Sequence, residues 1–438
     1  MRRYPDYKDS GLDWIGEIPE HWDTLKVKYA ADLTNEEADG DRVAFQVALE
    51  NIESKTGRYV ATDGTYAGTG SGFRAGDVLF NKLRPYLAKV YEADRDGVSV
   101  GELLVLRPQD GVDSRFLFYR MLSADFISVV DGSTYGAKMP RANWDFVGNL
   151  GIPLPPLDEQ RQLAAYLDRK TAEVDALIAK KRALITRLGE LRAALVHRAV
   201  TKGLDPDAPM KDSGVEWLGE VPEHWTMTKL KYELDEIGTG GTPSTSNEAY
   251  WADEGGTPWV AISDISAQTV ITRTAKCVTD AGLKAGRLEV LPAGTLLISI
   301  FASLGKTSVL GVDAAINQAI LGLVPSASLN RDFLKLYLVA LEPFIGYYSS
   351  SNTQENLNLT KVKNLDLPLP TLEEQERIVS HLQERGRAID EIEERERRLI
   401  QRLEELRTSL ISEVVTGKVD IRSEPLAEAA ASAEPAAA

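Results

Sequence analysis

Residues that could carry catalysis are scattered along the chain, and their spacing assembles no recognisable active site. Leu304-Gly305-Lys306-Thr307 resembles the end of a phosphate-binding loop, but Ile300 occupies the position of the required first glycine. Residues 68–72 are rich in glycine, yet no clear strand precedes them and no helix follows them. We therefore predict a flexible loop there rather than a cofactor-binding turn.

The histidines give no metal-binding pattern. They are His21, His197, His224 and His381, and none has the spacing of a His-Cys or His-Glu-x-x-His zinc site. His21 and His224 each precede a tryptophan, where we predict a structural hydrogen-bonding role. The chain also lacks the Asn-Pro-Pro-Tyr type of tetrapeptide that amino-methyltransferases place against a flipped base. We predict a non-catalytic chain that binds no metal or cofactor of its own.

Length and charge limit what the chain can bind. Its 438 residues carry 50 Lys and Arg against 66 Asp and Glu, a net charge of -16, which excludes a uniformly basic nucleic-acid coat. Any contact with a polyanion must therefore be local. Cys277 is the only cysteine, so we expect a small buried apolar thiol and a reducing cytoplasm. The sequence predicts neither a secretory signal nor a membrane span.

The two halves of the chain repeat one plan. Residues 8–22 return 203 positions later as residues 211–225, with 11 of 15 positions identical and the other four conservatively replaced. We call these two segments the signatures. A Pro-Leu-Pro segment at 153–160 returns 215 positions later at 368–375, and both copies end in Glu-Gln. The residues in between share little beyond a Lys-x-Lys-Tyr start. A constant frame thus carries two divergent inserts.

Each Pro-Leu-Pro segment opens a long heptad pattern, which predicts two coiled-coil helices that pair with each other. A helix from Leu157 to Val200 would be about 65 Å long, and Thr371 to Glu374 predict a capping box at the start of the second helix. The predicted apolar seam consists of Leu163, Leu167, Val174, Leu177, Leu184, Leu188, Leu191 and Leu195, and of Ile378, Leu382, Ile389, Ile392, Leu399, Leu403, Leu406 and Leu410.

One charged residue near the middle of each helix interrupts this seam. The two residues are Lys181 and Glu396, which an antiparallel pairing would bring within about one layer of each other. We hypothesise that they attract each other there. Two solvated side chains are the alternative.

Each insert alternates short apolar runs with turn residues, as a compact α+β domain does. The predicted strands are 77–80, 102–106, 259–262, 295–300 and 319–323, and the predicted helices are 116–130 and 332–341. The fold class is α+β, with two α/β domains separated by two long antiparallel coiled-coil helices in a pseudo-two-fold duplication. The expected segments are a signature segment at 1–22, the first insert at 23–150, the first helix at 151–203, a linker with the second signature at 204–225, the second insert at 226–365, the second helix at 366–420 and a disordered tail at 421–438.

The signatures, the two Pro-Leu-Pro helices and two insert motifs, Gly240-Gly241-Thr242-Pro243-Ser244 and Asn317-Gln318-Ala319-Ile320, together resemble the DNA specificity subunit of a type I restriction-modification system. The resemblance implies that each insert is a target recognition domain reading one half of a bipartite site on double-stranded DNA. It implies that the helices act as a spacer and dock two methyltransferase subunits. It further implies motor-endonuclease subunits, with S-adenosylmethionine, ATP and Mg²⁺ held by the partners.

Two other classes of function stay open from the sequence. A stand-alone DNA-modifying enzyme would need the same reactive residues in both inserts, and we find none. A coiled-coil adaptor would bind no DNA. Fold analogy alone does not separate these classes, whereas a constant frame with divergent inserts favours a reader of two unlike half-sites.

The inserts are only weakly acidic. Residues 23–148 have a net charge of -4 and residues 226–363 one of -2, so we expect modest DNA affinity from the isolated chain, with the methyltransferase subunits neutralising part of the phosphate charge. The candidate DNA-contacting residues are polar or basic side chains at predicted loop ends. They are Asn81, Lys82, Arg84, Lys138, Arg141 and Asn143 in the first insert, and Thr242, Ser244, Ser303, Lys306, Asn352, Gln354 and Asn356 in the second.

Overall fold

The chain folds into two compact units. The computed structural model describes residues 2–39, 45–64, 68–134, 138–301, 303–348 and 357–422. Unit 1 combines Met1–Arg182 with Glu396–Ala438, and unit 2 is Ala183–Arg395. Each unit therefore contains one signature, one insert and part of both long helices.

Small sheets make up the β structure of unit 1. Strand β1 (Tyr7–Asp9) pairs with β2 (Glu17–Pro19) inside the signature, and β3 (Asp23–Lys26) pairs with β12 (Gly151–Leu154) where the insert begins and ends. One sheet of the insert is antiparallel and consists, in spatial order, of β4 (Ala31–Thr34), β11 (Leu103–Pro108), β8 (Val78–Asn81) and β9 (Val90–Glu92). The other consists of β5 (Glu37–Asp39), β7 (Thr69–Phe73), β10 (Gly97–Ser99) and β6 (Gln46–Val47).

The helices of the first insert are short, and one long helix follows them. They are α1 (Val27–Ala30), α2 (Ser114–Leu122), α3 (Ala124–Gly132) and α4 (Trp144–Val147), followed by α5 (Leu157–Lys202). Helix α2 begins where the carboxylate of Asp113 accepts a hydrogen bond from the Phe116 amide at 2.9 Å. The predicted helix over 116–130 is thus two helices, because Ser123 between them has an extended backbone (ψ 144°).

Unit 2 repeats this arrangement with a larger sheet. Strand β13 (Met210–Asp212) pairs with β14 (Glu220–Pro222), and β15 (Thr226–Lys229) pairs with β25 (Asp366–Leu369). The five-stranded sheet runs β16 (Leu234–Thr239), β24 (Ile320–Pro325), β21 (Leu296–Ser299), β22 (Thr307–Leu310) and β19 (Val270–Ile271). The four-stranded sheet runs β17 (Trp251–Ala252), β20 (Lys276–Val278), β18 (Thr257–Val260) and β23 (Ala315–Ile316). The helices are α6 (Ile262–Ala267), α7 (Asp280–Gly286), α8 (Arg331–Leu341), α9 (Leu359–Lys363) and α10 (Leu372–Val415).

Two predictions about single segments are wrong. The glycine-rich segment at 68–72 belongs mostly to strand β7, which pairs with β10. A side chain at Gly70 would lie 2.4 Å from the carbonyl oxygen of Ser99 on that neighbouring strand. Glycine there permits a close approach of two strands rather than a mobile loop. Cys277 is half-buried in the small sheet of unit 2 rather than fully buried.

The long helices form where the heptad pattern predicted them, and no helix among the described residues is both long and apolar enough to cross a membrane. In unit 1, Asp175 pairs with Arg407 and Lys181 with Glu396. In unit 2, Arg192 near the end of α5 pairs with Asp390 in the first half of α10. The order of these contacts confirms that the two helices run antiparallel.

Fewer residues are buried in the seam between the helices than the heptad pattern predicted. The buried members of the seam are Leu163, Leu167, Leu188, Ile378, Leu382, Ile389, Leu403 and Leu410, and its half-buried members are Val174, Leu195 and Leu399. Leu177, Leu184, Leu191, Ile392 and Leu406 are 37–50% exposed. The neighbouring Ile178 is buried in place of Leu177. A 3.6-residue helix drifts by about 20° per heptad, so the buried face passes from one apolar residue to its neighbour.

Each signature fastens the start of a long helix. His21 Nε2 lies 2.7 Å from Glu159 Oε2 in unit 1, and His224 Nε2 lies 2.9 Å from Glu374 Oε2 in unit 2. The structural hydrogen-bonding role predicted for both histidines is confirmed. The hydroxyl of Thr371 accepts the predicted capping bond from the Glu374 amide at 3.4 Å, while the Glu374 carboxylate contacts the histidine.

The glutamine beside each of these glutamates ties the insert to the frame. Gln160 is buried, accepts a hydrogen bond from the Asp113 amide at 2.8 Å and donates one to the Pro155 carbonyl at 2.8 Å. Gln375 is also buried and accepts the Asn330 amide at 2.7 Å. Asp113 and Asn330 are the capping residues of α2 and α8. The repeated Glu-Gln pair therefore joins the signature, the long helix and the insert at one point.

The end of α10 packs against the first signature. Gly417 follows the helix with φ 73°, and a side chain there would lie 2.3 Å from Pro19 Cδ. Ile421 is 4% exposed and shares the apolar core of unit 1 with Trp22. Arg422 pairs with Asp420, and residues 423–438 lie outside the described part of the chain. The packed structure thus includes the first two residues of the segment predicted as a tail.

The attraction hypothesised between the two seam charges is confirmed as a contact. Lys181 and Glu396 occupy the same position of the two repeats, and Lys181 Nζ lies 3.0 Å from Glu396 Oε2. Their side chains are 24% and 10% exposed. The 3.0 Å distance defines an ion pair, while Glu396 Oε2 has no hydrogen-bond partner among the described residues.

We expect the ion pair to contribute measurable coupling. A double-mutant cycle with Lys181→Ala and Glu396→Ala should give a coupling free energy of about 1 kcal/mol in denaturant unfolding, because both charges are shielded from water. The matched control is the exposed pair Arg182–Glu404, for which we expect about 0.5 kcal/mol or less. Equal coupling in the two cycles would contradict the prediction.

Candidate nucleic-acid interface

The first insert presents a loop directly after strand β8 that is supported by hydrogen bonds from below. We call residues 82–89 the first recognition loop. Asn81 is fully buried beneath it, donates from Nδ2 to the Leu83 carbonyl at 2.9 Å and accepts the Lys89 amide at 2.9 Å. Arg84 and Ala88 have left-handed backbones, with φ 53° and 47°. Asn81 is thus engaged in shaping the loop rather than free to contact DNA.

A second segment lies alongside this loop. Leu83 forms an isolated antiparallel bridge with Arg141, the Arg84 amide donates to the Pro140 carbonyl at 2.8 Å, and the Ala142 amide donates to the Lys82 carbonyl at 2.8 Å. Two segments that are far apart in the sequence therefore form one surface. The structure brings Lys82, Arg84, Lys138 and Arg141 of the candidate set together.

The two paired segments contain five cations, Lys82, Arg84, Lys89, Lys138 and Arg141, and no acidic residue of their own. Arg141 contacts Glu102 at 2.8 Å, Lys82 Nζ lies 3.7 Å from the same carboxylate, and Arg84 Nη2 donates to the Lys138 carbonyl at 3.3 Å. The Arg141 guanidinium, with Lys82 nearby, holds the pKa of Glu102 below its ordinary value. The surface keeps a local positive excess on an acidic chain, as phosphate binding requires.

The remaining candidate in the first insert has a structural partner. Asn143 caps α4 by accepting the Asp145 amide at 3.1 Å. Sequence reasoning missed Tyr86 and Met139, whose side chains are 50% and 48% exposed within the two paired segments. Their exposure could have been suspected only from their position between basic residues. Both side chains could pack against sugar or base surfaces.

The second insert has a loop at the equivalent place. We call residues 300, 301 and 303–306 the second recognition loop, which follows β21 as the first follows β8. Ser299 is fully buried, its hydroxyl donates to the Ser303 carbonyl, and it accepts the Lys306 amide at 3.1 Å. Lys306 Nζ lies 2.7 Å from Glu342 Oε1, and Phe301 is 49% exposed. This loop has the same support as the first but less positive charge.

The two insert motifs of the second domain lie next to each other. The Gly241 amide donates to the Ile316 carbonyl at 2.9 Å, and the Thr242 hydroxyl donates to the side-chain oxygen of Gln318. A side chain at Gly240 would lie 2.1 Å from the Asn317 carbonyl oxygen, so only glycine fits there. The motifs therefore form one exposed hydroxyl- and amide-rich edge.

Ser244 belongs to the same region, and its hydroxyl lies 2.9 Å from that of Ser246. Asn352, Gln354 and Asn356 lie outside the described residues. The chain resumes beside the second recognition loop, because the Leu357 amide donates to the Ile300 carbonyl at 3.2 Å. The next residue, Asn358, caps α9 as Asn143 caps α4.

One further pair of exposed sites is repeated in both units. Lys28 Nζ lies 5.3 Å from the ring centroid of Tyr29, and Lys231 Nζ lies 4.9 Å from that of Tyr232. The two tyrosines are 59% and 69% exposed. They belong to the Lys-x-Lys-Tyr start shared by the inserts, which the predicted DNA-contacting residues did not include.

Known proteins of one family resemble this chain along nearly its whole length. The family model described as type I restriction modification DNA specificity domain matches residues 78–187 and 222–402. The type I restriction enzyme MjaVIII specificity subunit of Methanocaldococcus jannaschii is 23% identical, over 93% of this chain and 95% of that protein. The HindI specificity subunit of Haemophilus influenzae is 23% identical, over 68% of this chain and 78% of that protein.

Two solved structures share the architecture. A chain from a structural study of complex assembly and conformational transition of the type I R-M system is 25% identical, with a TM-score of 0.73 over 92% of this chain and 99% of that one. The HsdS subunit from Thermoanaerobacter tengcongensis, at 23% identity, has a TM-score of 0.54 over 92% of this chain and 98% of its own. This chain belongs to the type I restriction-modification specificity family and is a DNA-binding, non-catalytic specificity subunit with two target recognition domains.

Proposed function

We propose that each insert reads one half of a bipartite target in double-stranded DNA through its recognition loop. The observation that carries the proposal is the pair of equivalent loops, each supported by a buried side chain, Asn81 or Ser299, yet different in chemistry. The first loop and its neighbouring segment contain five cations, whereas the second insert offers hydroxyls, an amide-rich edge and Lys306. A constant support with different reading groups suits two unlike half-sites.

The proposed division of labour within a loop follows from general DNA recognition. Cations such as Arg84 and Lys138 neutralise phosphates and set the position of the domain, while side chains that reach base edges select the sequence. The acidic balance of both inserts limits the phosphate contribution. We therefore infer that this subunit needs its partners for tight binding.

We infer that two identical methyltransferase subunits dock on features that the units share. In unit 1, Leu177 and Leu406 are exposed, and in unit 2 their repeat equivalents Ile392 and Leu191 are exposed to a similar extent. The exposed Lys–Tyr pairs are repeated as well. Surfaces that are the same in both units suit a partner that is the same at both places.

The partners supply the chemistry in this proposal. The methyltransferase subunits bind S-adenosylmethionine, and motor-endonuclease subunits bind ATP and Mg²⁺. A cytoplasmic location completes the assignment, since the system acts on cellular DNA and the chain's one thiol, Cys277, has no partner cysteine.

The target sequence is the direct test of bipartite reading. Long-read sequencing that detects methylated bases in the source genome should find a motif with two specified parts and a fixed unspecified gap. Deletion of the gene for this chain should abolish methylation of that motif. A continuous motif without a gap, or methylation that survives the deletion, would contradict the proposal.

The recognition loops should carry binding. In the complex with the methyltransferase subunits, Arg84→Ala or Lys306→Ala should weaken binding to the target about tenfold if the side chain reads a base, or lower the salt dependence by about one unit if it binds a phosphate. Arg95→Ala is the control, because Arg95 is exposed in the first insert but pairs with Asp94 away from the loop. Unchanged affinity and salt dependence in both loop variants would remove the loops from the interface.

The shared apolar residues should carry assembly. Leu191→Asp and Leu406→Asp should each reduce the number of methyltransferase subunits bound from two to one, and the double variant to none, as measured by mass photometry. Placing a carboxylate in an apolar contact is costly unless it is paired. Arg187→Asp, an exposed polar position on the same helix, should leave two subunits bound. Full assembly of the double variant would exclude these residues from docking.

A further inference from the structure

In unit 1, a loop of the first insert contacts both long helices. Arg407 of α10 donates from Nε to Asp175 Oδ1 of α5 at 3.0 Å and from Nη1 to the Lys55 carbonyl of the insert at 2.7 Å. Arg58, from the same loop, binds the other oxygen of Asp175. The side chains of Arg407 and Asp175 are only 9% and 13% exposed. Charge-assisted hydrogen bonds sheltered from water are among the stronger polar contacts in proteins.

The same loop also binds the first recognition loop. The Lys55 amide donates to the Ala88 carbonyl at 2.9 Å, so one peptide segment links Ala88 on one side to Arg407 on the other. Lys55 has a left-handed backbone, with φ 65°. A side chain at Gly57 would lie 2.4 Å from Phe118 Cε2, so the loop is seated against the core of the insert. A continuous chain of hydrogen bonds therefore runs from the recognition loop to both helices.

The second unit contains the same ion pair without this shelter. Asp390 and Arg192 are the repeat equivalents of Asp175 and Arg407, and they also pair. Their side chains are 63% and 38% exposed. The duplicated pair thus joins the helices in both units, and in unit 1 it is additionally covered by the insert.

We propose that Asp175 and Arg407 are positioning residues for DNA reading. They hold the first recognition loop at a fixed place on the helix pair through Lys55, so that the base readout by this loop is tied to the length of the helical spacer. This inference rests on the proposed bipartite reading. Loss of the contact frees the loop to shift along DNA and relaxes the required gap between the half-sites.

The experiment measures discrimination between gap lengths. The full chain, assembled with its methyltransferase subunits, is titrated with duplexes that carry the methylated motif found by sequencing, with the native gap or a gap one base pair longer or shorter. The readout is the ratio of affinities for native and altered gaps. Arg407→Met, which removes both donors, should lower this ratio about tenfold, equivalent to one hydrogen bond of a charged group.

Asp175→Asn is the second variant. An asparagine keeps the shape of the side chain but has one acceptor oxygen, so it cannot serve Arg58 and Arg407 together. It should lower the ratio in the same direction. Arg192→Met and Asp390→Asn are the matched controls, because they break the exposed copy of the pair and should leave the ratio at the wild-type value.

The outcomes separate the two levels of the proposal. A purely structural role would weaken binding to all duplexes equally and leave the ratio unchanged, which overturns the inference. If Arg407→Met does not assemble, the ratio for Asp175→Asn decides alone. Equal loss of discrimination in the unit 2 controls also overturns the inference. If wild-type protein shows no preference for any gap, the bipartite reading itself is wrong.

Discussion

Packing of each insert onto the paired helices is the constraint on which the structure of each unit depends. In unit 1, a single apolar core contains Trp22 of the signature, Phe118 of the insert, Leu167 of α5 and Leu410 of α10. Unit 2 builds its core from the same four sources. An insert cannot rotate on the helices without exposing part of this core, at about 25 cal/mol for each Å² of apolar surface. The recognition loops inherit their position from that packing.

Polar contacts add direction to this apolar core. The buried glutamines at the helix starts each satisfy backbone groups of an insert cap and of the frame, and a buried amide left without partners would be costly. The His–Glu pairs hold the signatures at the same junctions. Apolar packing alone permits small slides between surfaces, whereas these hydrogen bonds permit one register. Apolar packing and hydrogen bonds therefore both fix the frame at each junction.

The two recognition loops show how one scaffold accommodates two specificities. The side chains of Asn81 and Ser299 differ in length. Each nevertheless lies buried at the end of a central strand and forms hydrogen bonds with one carbonyl and one amide of its loop. Because the support lies below the loop, the exposed side chains above it are free to change. The first loop and its neighbouring segment give the acidic chain a local positive surface, in which Lys82 and Arg141 both contact the Glu102 carboxylate.

The sequence by itself determined the duplicated frame, the extent of the long helices and the absence of a recognisable catalytic pattern. These features are local or repetitive: heptad spacing defines a helix, and the repeated signature is visible without a fold. It also led to the contact between Lys181 and Glu396, because both interrupt the same apolar pattern.

Only the tertiary structure decided which apolar residues of the long helices are buried, since Leu177 and Ile178 are equally apolar and a small rotation of the helix chooses between them. It also decided which polar residues are free. Asn81 is an amide side chain of the type that reads bases, but it is fully buried and bonded to the backbone of its own loop, whereas the exposed Asn143 caps a helix. Pairing of the 82–89 loop with residues 138–142, and of Lys55 with Arg407, depends on contacts far apart in the chain. Such contacts follow from the packing of the whole unit, which the spacing of residues along the sequence does not reveal.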